Sequence, residues 1–244
     1  MSDSKTRFSN RSDDYARYRP TYPREVVDTI VDGFKDPIVA DLGAGTGIST
    51  VLLARAARHV YAVEPNAAMR DNIEAHANVT PVDGTAEATM LAAESVDIVT
   101  AFQAYHWFDP EAVILESERI GRRPVRFAAV WNERDNRDPF MAQYQRIIDP
   151  YMTDATESRR RKTTVDADLR ERGWSNVRTI EFRHETPADW DQLIGRTRSA
   201  SYLPREGPAY DELAAELRAL FDRSAAFGGS RFVLIAAVHL AERQ

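Results

Sequence analysis

The stretch Ile38-Val39-Ala40-Asp41-Leu42-Gly43-Ala44-Gly45-Thr46-Gly47-Ile48 fixes the reading of this chain. Its first five residues form a short apolar run carrying one acid, the composition of a strand buried in a parallel sheet. Glycines at 43, 45 and 47 then close the strand and open a helix. Glycine takes backbone conformations closed to other residues and lets a ligand approach the main chain. A helix start adds free amide groups. In an open parallel sheet such a loop lies at the carboxyl edge, where ligands bind.

Outward from this unit the chain alternates between helices and strands. A short amphipathic helix is expected over residues 25–34 and a strand over 38–42. A helix over 46–58 follows, with Ile48, Leu52 and Leu53 on one face. Further strands are expected at 60–63, 79–82, 96–101 and 125–130, with helices at 66–76 and 109–120 between them. This alternation predicts an α/β fold, a Rossmann-like and mostly parallel seven-stranded sheet with helices on both faces. The rhythm breaks over residues 133–172, which are rich in Arg, Asp and Glu and are read as a helical cap insertion after the fifth strand. Strands at 177–182 and 231–239 flank a helix at 209–226 and predict an antiparallel last strand. One domain, 1–244, is expected. Its first 24 residues are polar but carry Phe8, Tyr15, Tyr18 and Tyr22, and Pro20 and Pro23 stop any helix there. They are read as a lid.

Composition narrows the function. The 244 residues are 43% hydrophobic and 29% charged, ordinary for a globular protein. A net charge of −6 gives no overall electrostatic footprint for nucleic acid. The absence of cysteine removes disulfides, thiolate metal sites and cysteine nucleophiles, and fits a reducing compartment. Neither a signal-peptide core nor a membrane-spanning run of about 18 apolar residues is visible, so a soluble cytoplasmic protein is expected. His59, His76, His106, His184 and His239 show no metal-ligand spacing. The Arg159-Arg160-Arg161-Lys162 run reads as a solvated helix face.

The ligand of the glycine loop follows from what the loop lacks. A dinucleotide fingerprint needs a third glycine where this chain has Ile48. S-adenosylmethionine (SAM) has no pyrophosphate; it carries an amino-acid zwitterion and a cationic sulfonium, and a carboxylate such as Asp41 suits its ammonium group. Glu64, closing the second strand, is placed to accept from both hydroxyls of a ribose.

Residues 39–47, then Val63-Glu64-Pro65 and Met69, resemble the first two motifs of class I SAM-dependent methyltransferases. Within that superfamily the chain resembles the type 11 small-molecule group, and more narrowly its trans-aconitate methyltransferase-like branch. The features are Phe8, Tyr15 and Tyr18-Arg19-Pro20-Thr21-Tyr22-Pro23; Gly84-Thr85-Ala86-Glu87; and Gln103-Ala104-Tyr105-His106-Trp107-Phe108-Asp109. Beyond residue 132 it thins to Ser199-Ala200-Ser201-Tyr202. The resemblance implies that Arg19, supported by Tyr18, meets the methionine carboxylate. It also implies that Gly43 and Gln103 lie against the methionine arm and Met69 against the adenine face, with Ala44, Gly45, Gly47 and Pro65 also at the cofactor. Where many type 11 members have an acid beside the adenine, this chain has Thr85, with Asp83 two positions early. Adenine recognition is therefore expected from the backbone near Ala86, assisted by Thr85 or Glu87.

Methyl transfer from a sulfonium needs positioning more than a specialised base. If the acceptor must lose a proton, His106 is the candidate, because histidine titrates near neutral pH. Tyr15, Trp107, Trp131 and Tyr202 are candidates for the acceptor pocket. Two other functions stay open on sequence: a SAM-binding protein without transferase activity, and a nicotinamide-dependent oxidoreductase.

Overall fold

The computed structural model describes residues 21–153, 164–200 and 202–244. Tyr15, Tyr18, Arg19, the basic run at 159–162, Ser201 and most of the expected lid lie outside them. The strands are β1 (Ile38–Leu42), β2 (His59–Val63), β3 (Val79–Val82), β4 (Val96–Phe102), β5 (Gly121–Arg134), β6 (Ser175–Pro187) and β7 (Arg231–Arg243). They form one sheet in the order β3-β2-β1-β4-β5-β7-β6. Pairing is parallel from β3 through β5, and β7 runs antiparallel to both β5 and β6. The expected Rossmann-like, mostly parallel sheet with an antiparallel last strand is the observed one.

The helices are α1 (Arg24–Val31), α2 (Ile48–Ala54), α3 (Ala67–Arg70), α4 (Pro110–Ile120), α5 (Pro139–Ile148), α6 (Val165–Glu171), α7 (Trp190–Ser199) and α8 (Pro208–Asp222). On one face of the sheet Val26, Ile30 and Leu53 pack with Val39, Val60, Ile98 and Val238. On the other, Val113, Ile114, Val165 and Leu169 pack with Val99, Phe127 and Trp131. Burial on both faces is why β1 and β4 read as continuous apolar runs. Each fully buried Val, Leu or Ile contributes about 1.5–3 kcal/mol. A third cluster joins Phe140, Met141 and Tyr144 of α5 to Leu193 of α7 and to Leu213 and Leu217 of α8. It caps the end of the sheet.

Several boundaries differ from the expectation. The helix expected over 46–58 begins only at Ile48, because Gly47 before it is left-handed, with φ 86°. It stops at Ala54, after which Arg58 N donates to Pro37 O and leads into β2. The helix expected over 66–76 is the single turn α3, capped by Asn66. Strand β5 is much longer than 125–130, because β7 pairs it through to Arg134↔Leu234. The stretch 133–172 divides: α5 enters the cap, whereas α6 lies on the sheet as part of the core under α4. Helix α7 was not expected. Its signal was present as a capping box, Asp189 accepting from Gln192 N while the Gln192 side chain accepts from Asp189 N.

Candidate active site

The glycine loop leaves β1 at the carboxyl edge and is tied to the end of β2. Gly43 N and Ala44 N both donate to Val63 O, at 2.9 and 3.1 Å. Gly43, Gly45 and Gly47 have φ of 66, 58 and 86°, a conformation that costs an L side chain about 1–2 kcal/mol. Packing adds to this at Gly43, where a Cβ would stand 2.8 Å from Ala104 Cβ and 3.1 Å from Phe108 Cζ. At Gly45 the nearest neighbour of such a Cβ is the Met69 methyl, 3.4 Å away. Met69 is therefore beside the loop.

Asp41 is wholly buried, and both its oxygens serve the protein. Oδ2 accepts from Ser49 Oγ and Thr50 Oγ1 at 2.8 Å, and Oδ1 accepts from Thr100 Oγ1 at 2.9 Å. The residue thus clasps the start of α2 to β4 from inside. Burial pushes its carboxyl above the ordinary aspartate value, against the pull of the three hydroxyls.

Glu64 faces the loop instead. Its Oε2 accepts from Gly45 N and its Oε1 from Asn66 N, both at 2.9 Å. A carboxylate offers about four acceptor sites, so each oxygen retains capacity for a ligand hydroxyl. The side chain is 7% exposed. Burial raises its carboxyl above the ordinary glutamate value, opposed by the Asn66 and Gly45 amides and by Arg70. Pro65 follows Glu64 at the turn into α3, and Arg70 donates to Glu64 O at 2.7 Å and pairs with Asp83 at 3.2 Å.

Thr46 was read only as part of the loop, yet its hydroxyl is buried without a hydrogen-bond partner. Leaving such a group unsatisfied costs about 1–3 kcal/mol, and a polar ligand at the loop would relieve it. At the end of β3, Thr85 and Ala88 exchange backbone hydrogen bonds at 3.1 and 3.2 Å around buried Ala86. Glu87 Oε1 accepts from Asp109 N at 3.1 Å and so ties this turn to the start of α4.

Past β4, Gln103 is held at φ 54°, left-handed for a non-glycine residue. Such strain costs about 1–3 kcal/mol and persists where the surroundings enforce it. Here Gln103 N donates to Val130 O at 2.8 Å and Nε2 to Asn132 O at 3.1 Å. Asn132 donates in turn to Thr21 O at 3.3 Å and accepts from His184 Nε2 at 2.9 Å. Burial, with Arg196 nearby, pushes the His184 imidazole down. Strand pairing gathers these residues, which is why sequence spacing could not find Asn132 or His184.

The next turn, Tyr105–Trp107, carries His106. Tyr105 is buried and its hydroxyl donates to Asp168 of α6 at 3.0 Å. Trp131 Nε1 donates to His106 Nδ1 at 3.3 Å. Trp107 packs against His106 with ring centroids 4.9 Å apart. Trp131 itself is a core residue, 1% exposed, so it supports the site from within more than it lines a pocket. Tyr202 lies by the cap, its hydroxyl accepting from Arg134 at 3.0 Å. Arg134, not singled out on sequence, also donates to Gln145 Oε1 at 2.5 Å and lies over the Tyr144 ring. Those two hydrogen-bond partners are neutral, and the Asp149 carboxylate lies near enough to act on its charge. Among the described residues no cluster of three His, Asp or Glu could hold a metal ion, and no helix is long and apolar enough to cross a membrane.

Residues 40–128 match the family model of a methyltransferase domain. An uncharacterized methyltransferase of Mycobacterium tuberculosis is 39% identical over 135 residues, 55% of this chain and 55% of its own length. An uncharacterized methyltransferase-like protein of Schizosaccharomyces pombe is 35% identical over 147 residues, 58% of this chain and 57% of its own. The chain thus spans about half the length of the curated relatives it matches. Among solved structures, a provisionally assigned type II methyltransferase from Anaeromyxobacter dehalogenans superposes with a TM-score of 0.68 at 24% identity, covering 93% of this chain and 98% of that one. A geranyl diphosphate methyltransferase solved with GPP and sinefungin gives 0.52 at 13% identity, covering 91% and 76%. The chain shares the fold of that Anaeromyxobacter dehalogenans protein, and residues 40–128 are similar to a methyltransferase domain.

Proposed function

We propose that this chain is a SAM-dependent methyltransferase acting on a small anionic molecule, a carboxylate above all, in keeping with its resemblance to the trans-aconitate methyltransferase-like branch. The observation that carries the reading is the bond from Gly45 N to Glu64. It fixes the glycine cradle against a carboxylate that, in this reading, receives a ribose. The fit to SAM rests on that cradle, on the unpartnered Thr46 hydroxyl within it, and on Met69 against Gly45.

In this reading Gly43, Ala44, Gly45, Thr46 and Gly47 receive the methionine arm, with Arg19, Tyr18 and Gln103 at its far end. Glu64 receives the ribose; Pro65, Met69, Thr85, Ala86 and Glu87 surround the adenine; Asp41 shapes the loop. Bound SAM supplies a methyl group on a sulfonium, whose departure leaves a neutral thioether. The protein's part is to hold the acceptor in line and exclude water, and a well-held pose contributes roughly 7–11 kcal/mol. Thr21 O bonded to Asn132 and Tyr22 packed 4.8 Å from Phe102 anchor the described end of the N-terminal segment beside Gln103. This supports a lid over that site, with α5 on the acceptor side. Arg134, hydrogen-bonded to the neutral Gln145 and Tyr202 with the Asp149 carboxylate nearby, supports an anionic acceptor, since a carboxylate matches its fork.

Ile48 in place of a third glycine argues against a nicotinamide cofactor. The test is a methyl-labelled SAM screen over carboxylic acids, phenols and amines. Label transferred to a carboxylic acid supports the proposal. Labelled product from amines or phenols alone removes the acceptor class, and no product from any class favours a SAM-binding protein without transferase activity.

A further inference from the structure

We infer that His184, on the outermost strand of the sheet, is a positioning residue for the proposed cofactor site: through Asn132 it fixes where the N-terminal segment meets Gln103. The inference rests on the methyltransferase reading above.

Strand pairing separates the two side chains by a whole strand. Asn132 of β5 and Phe182 of β6 both pair with Ala236 of β7, and His184 lies two residues beyond Phe182. Adjacent strands lie about 4.8 Å apart, so a contact from β5 to β6 must pass over β7. Ala236 packs with Val130 and Phe182, and side-chain alternation puts Asn132 and His184 on that same face. The contact passes over this buried alanine, whose small side chain leaves room for His184 Nε2 to meet Asn132 Oδ1 at 2.9 Å.

Donors and acceptors leave one arrangement. Thr21 O can only accept, so Asn132 turns its Nδ2 toward it, at 3.3 Å. Oδ1 then faces His184, whose Nε2 must carry a proton. Without that donor nothing fixes the sense of the amide. Flipped, it would set Oδ1 against Thr21 O, acceptor against acceptor.

Asn132 also holds Gln103. Its main-chain O accepts from Gln103 Nε2 at 3.1 Å, while Gln103 N donates to Val130 O at 2.8 Å. The two bonds keep Gln103 left-handed, with φ 54°. Beside it Tyr22 packs on Phe102, and Val26 N donates to Pro23 O as α1 begins. Ala104, next in the chain, stands 2.8 Å from where a Cβ on Gly43 would be, so this junction touches the glycine loop itself. A segment docked only part of the time lowers apparent cofactor affinity by the fraction docked. His184 raises that fraction.

The test is amide hydrogen exchange over residues 21–27 of the full chain, together with calorimetry of the demethylated cofactor product. His184→Phe keeps a ring and removes the donor. It should speed exchange there by roughly 2–10-fold, the worth of one hydrogen bond, and weaken product binding by a similar factor. His184→Gln, whose Nε2 stands in for the imidazole N–H, should return both to within about twofold of wild type. Asn132→Asp has an oxygen where Nδ2 was, so it should reproduce His184→Phe with the imidazole intact. It decides the matter if His184→Phe does not fold. Wild-type exchange or wild-type affinity in the folded variants would overturn the inference, as would a His184→Gln no better than His184→Phe. If the product does not bind even the wild type, the methyltransferase reading fails instead, and exchange still decides whether His184 docks Thr21.

Discussion

Replacing Glu64 by Gln keeps the side-chain volume and turns one acceptor oxygen into a donor NH2. Both native oxygens face backbone N–H groups that cannot rotate away, Gly45 N and Asn66 N, each at 2.9 Å. Whichever way the new amide settles, one buried N–H meets another. An unsatisfied buried donor costs about 1–3 kcal/mol, so the variant should lose that much unfolding free energy in urea, with an unchanged denaturant slope. Bound SAM would also exchange a charged acceptor for a neutral amide at its ribose. Losing about 1.5–3 kcal/mol there weakens binding by roughly 10–150-fold, measured by calorimetry. Asp41→Asn is the matched control. Its partners Ser49, Thr50 and Thr100 are hydroxyls that can turn to accept from the new amide. It should stay within about 1 kcal/mol of wild type and keep SAM affinity within about threefold. Wild-type stability and affinity in Glu64→Gln, or an equal loss in Asp41→Asn, would refute this reasoning.

Three further outcomes are expected. Burial raises the Asp41 and Glu64 carboxyls above their ordinary values of 3.8 and 4.5, so the folded chain holds those protons more tightly than the unfolded one. Their ionisation therefore subtracts stability as pH rises from the ordinary values through the raised ones. The stability of Asp41→Asn relative to wild type, measured in urea over roughly pH 4–8, should rise with pH and then level; a gap that falls with pH would contradict the burial. Gly43→Ala should cost about 2–4 kcal/mol, from left-handed strain plus collision with Ala104. Gly45→Ala should cost only the strain, about 1–2 kcal/mol, and equal losses in urea unfolding would deny the close packing at Gly43. Arg134→Met should raise KM for a carboxylic acceptor by roughly 10–150-fold, the loss of a charged hydrogen bond, while SAM affinity stays unchanged; an unchanged KM would remove Arg134 from the acceptor side.

The parts of the site legible in the sequence are those encoded within one strand–loop–helix unit. The run from Ile38 to Leu42, its three glycines and Glu64 at the end of β2 carry their chemistry in local spacing, and the structure joins them through the Gly45–Glu64 bond. The strands buried on both faces were legible for the same reason: apolar runs admit few other readings. What was hidden depends on long-range pairing. Polar Glu133 and Arg134 look like the start of an insertion until β7 extends β5 over them. Helix α2 looks longer than it is, because the helix formers at 55–58 cannot reveal that Arg58 must meet Pro37. Asp41 looks like a ligand contact until Ser49, Thr50 and Thr100 are seen to occupy it. The contact of His106 with Trp131 was hidden too, because Trp131 lies on another strand.

The most direct test of the central claim, that the Gly43–Gly47 loop with Glu64 holds SAM, is a calorimetric titration of the full chain with SAM, its demethylated product and NADH in turn. The account predicts saturable binding of SAM and of the product at one site per chain, with no heat from NADH at matched concentration. Binding of NADH with none of SAM or its product would contradict it.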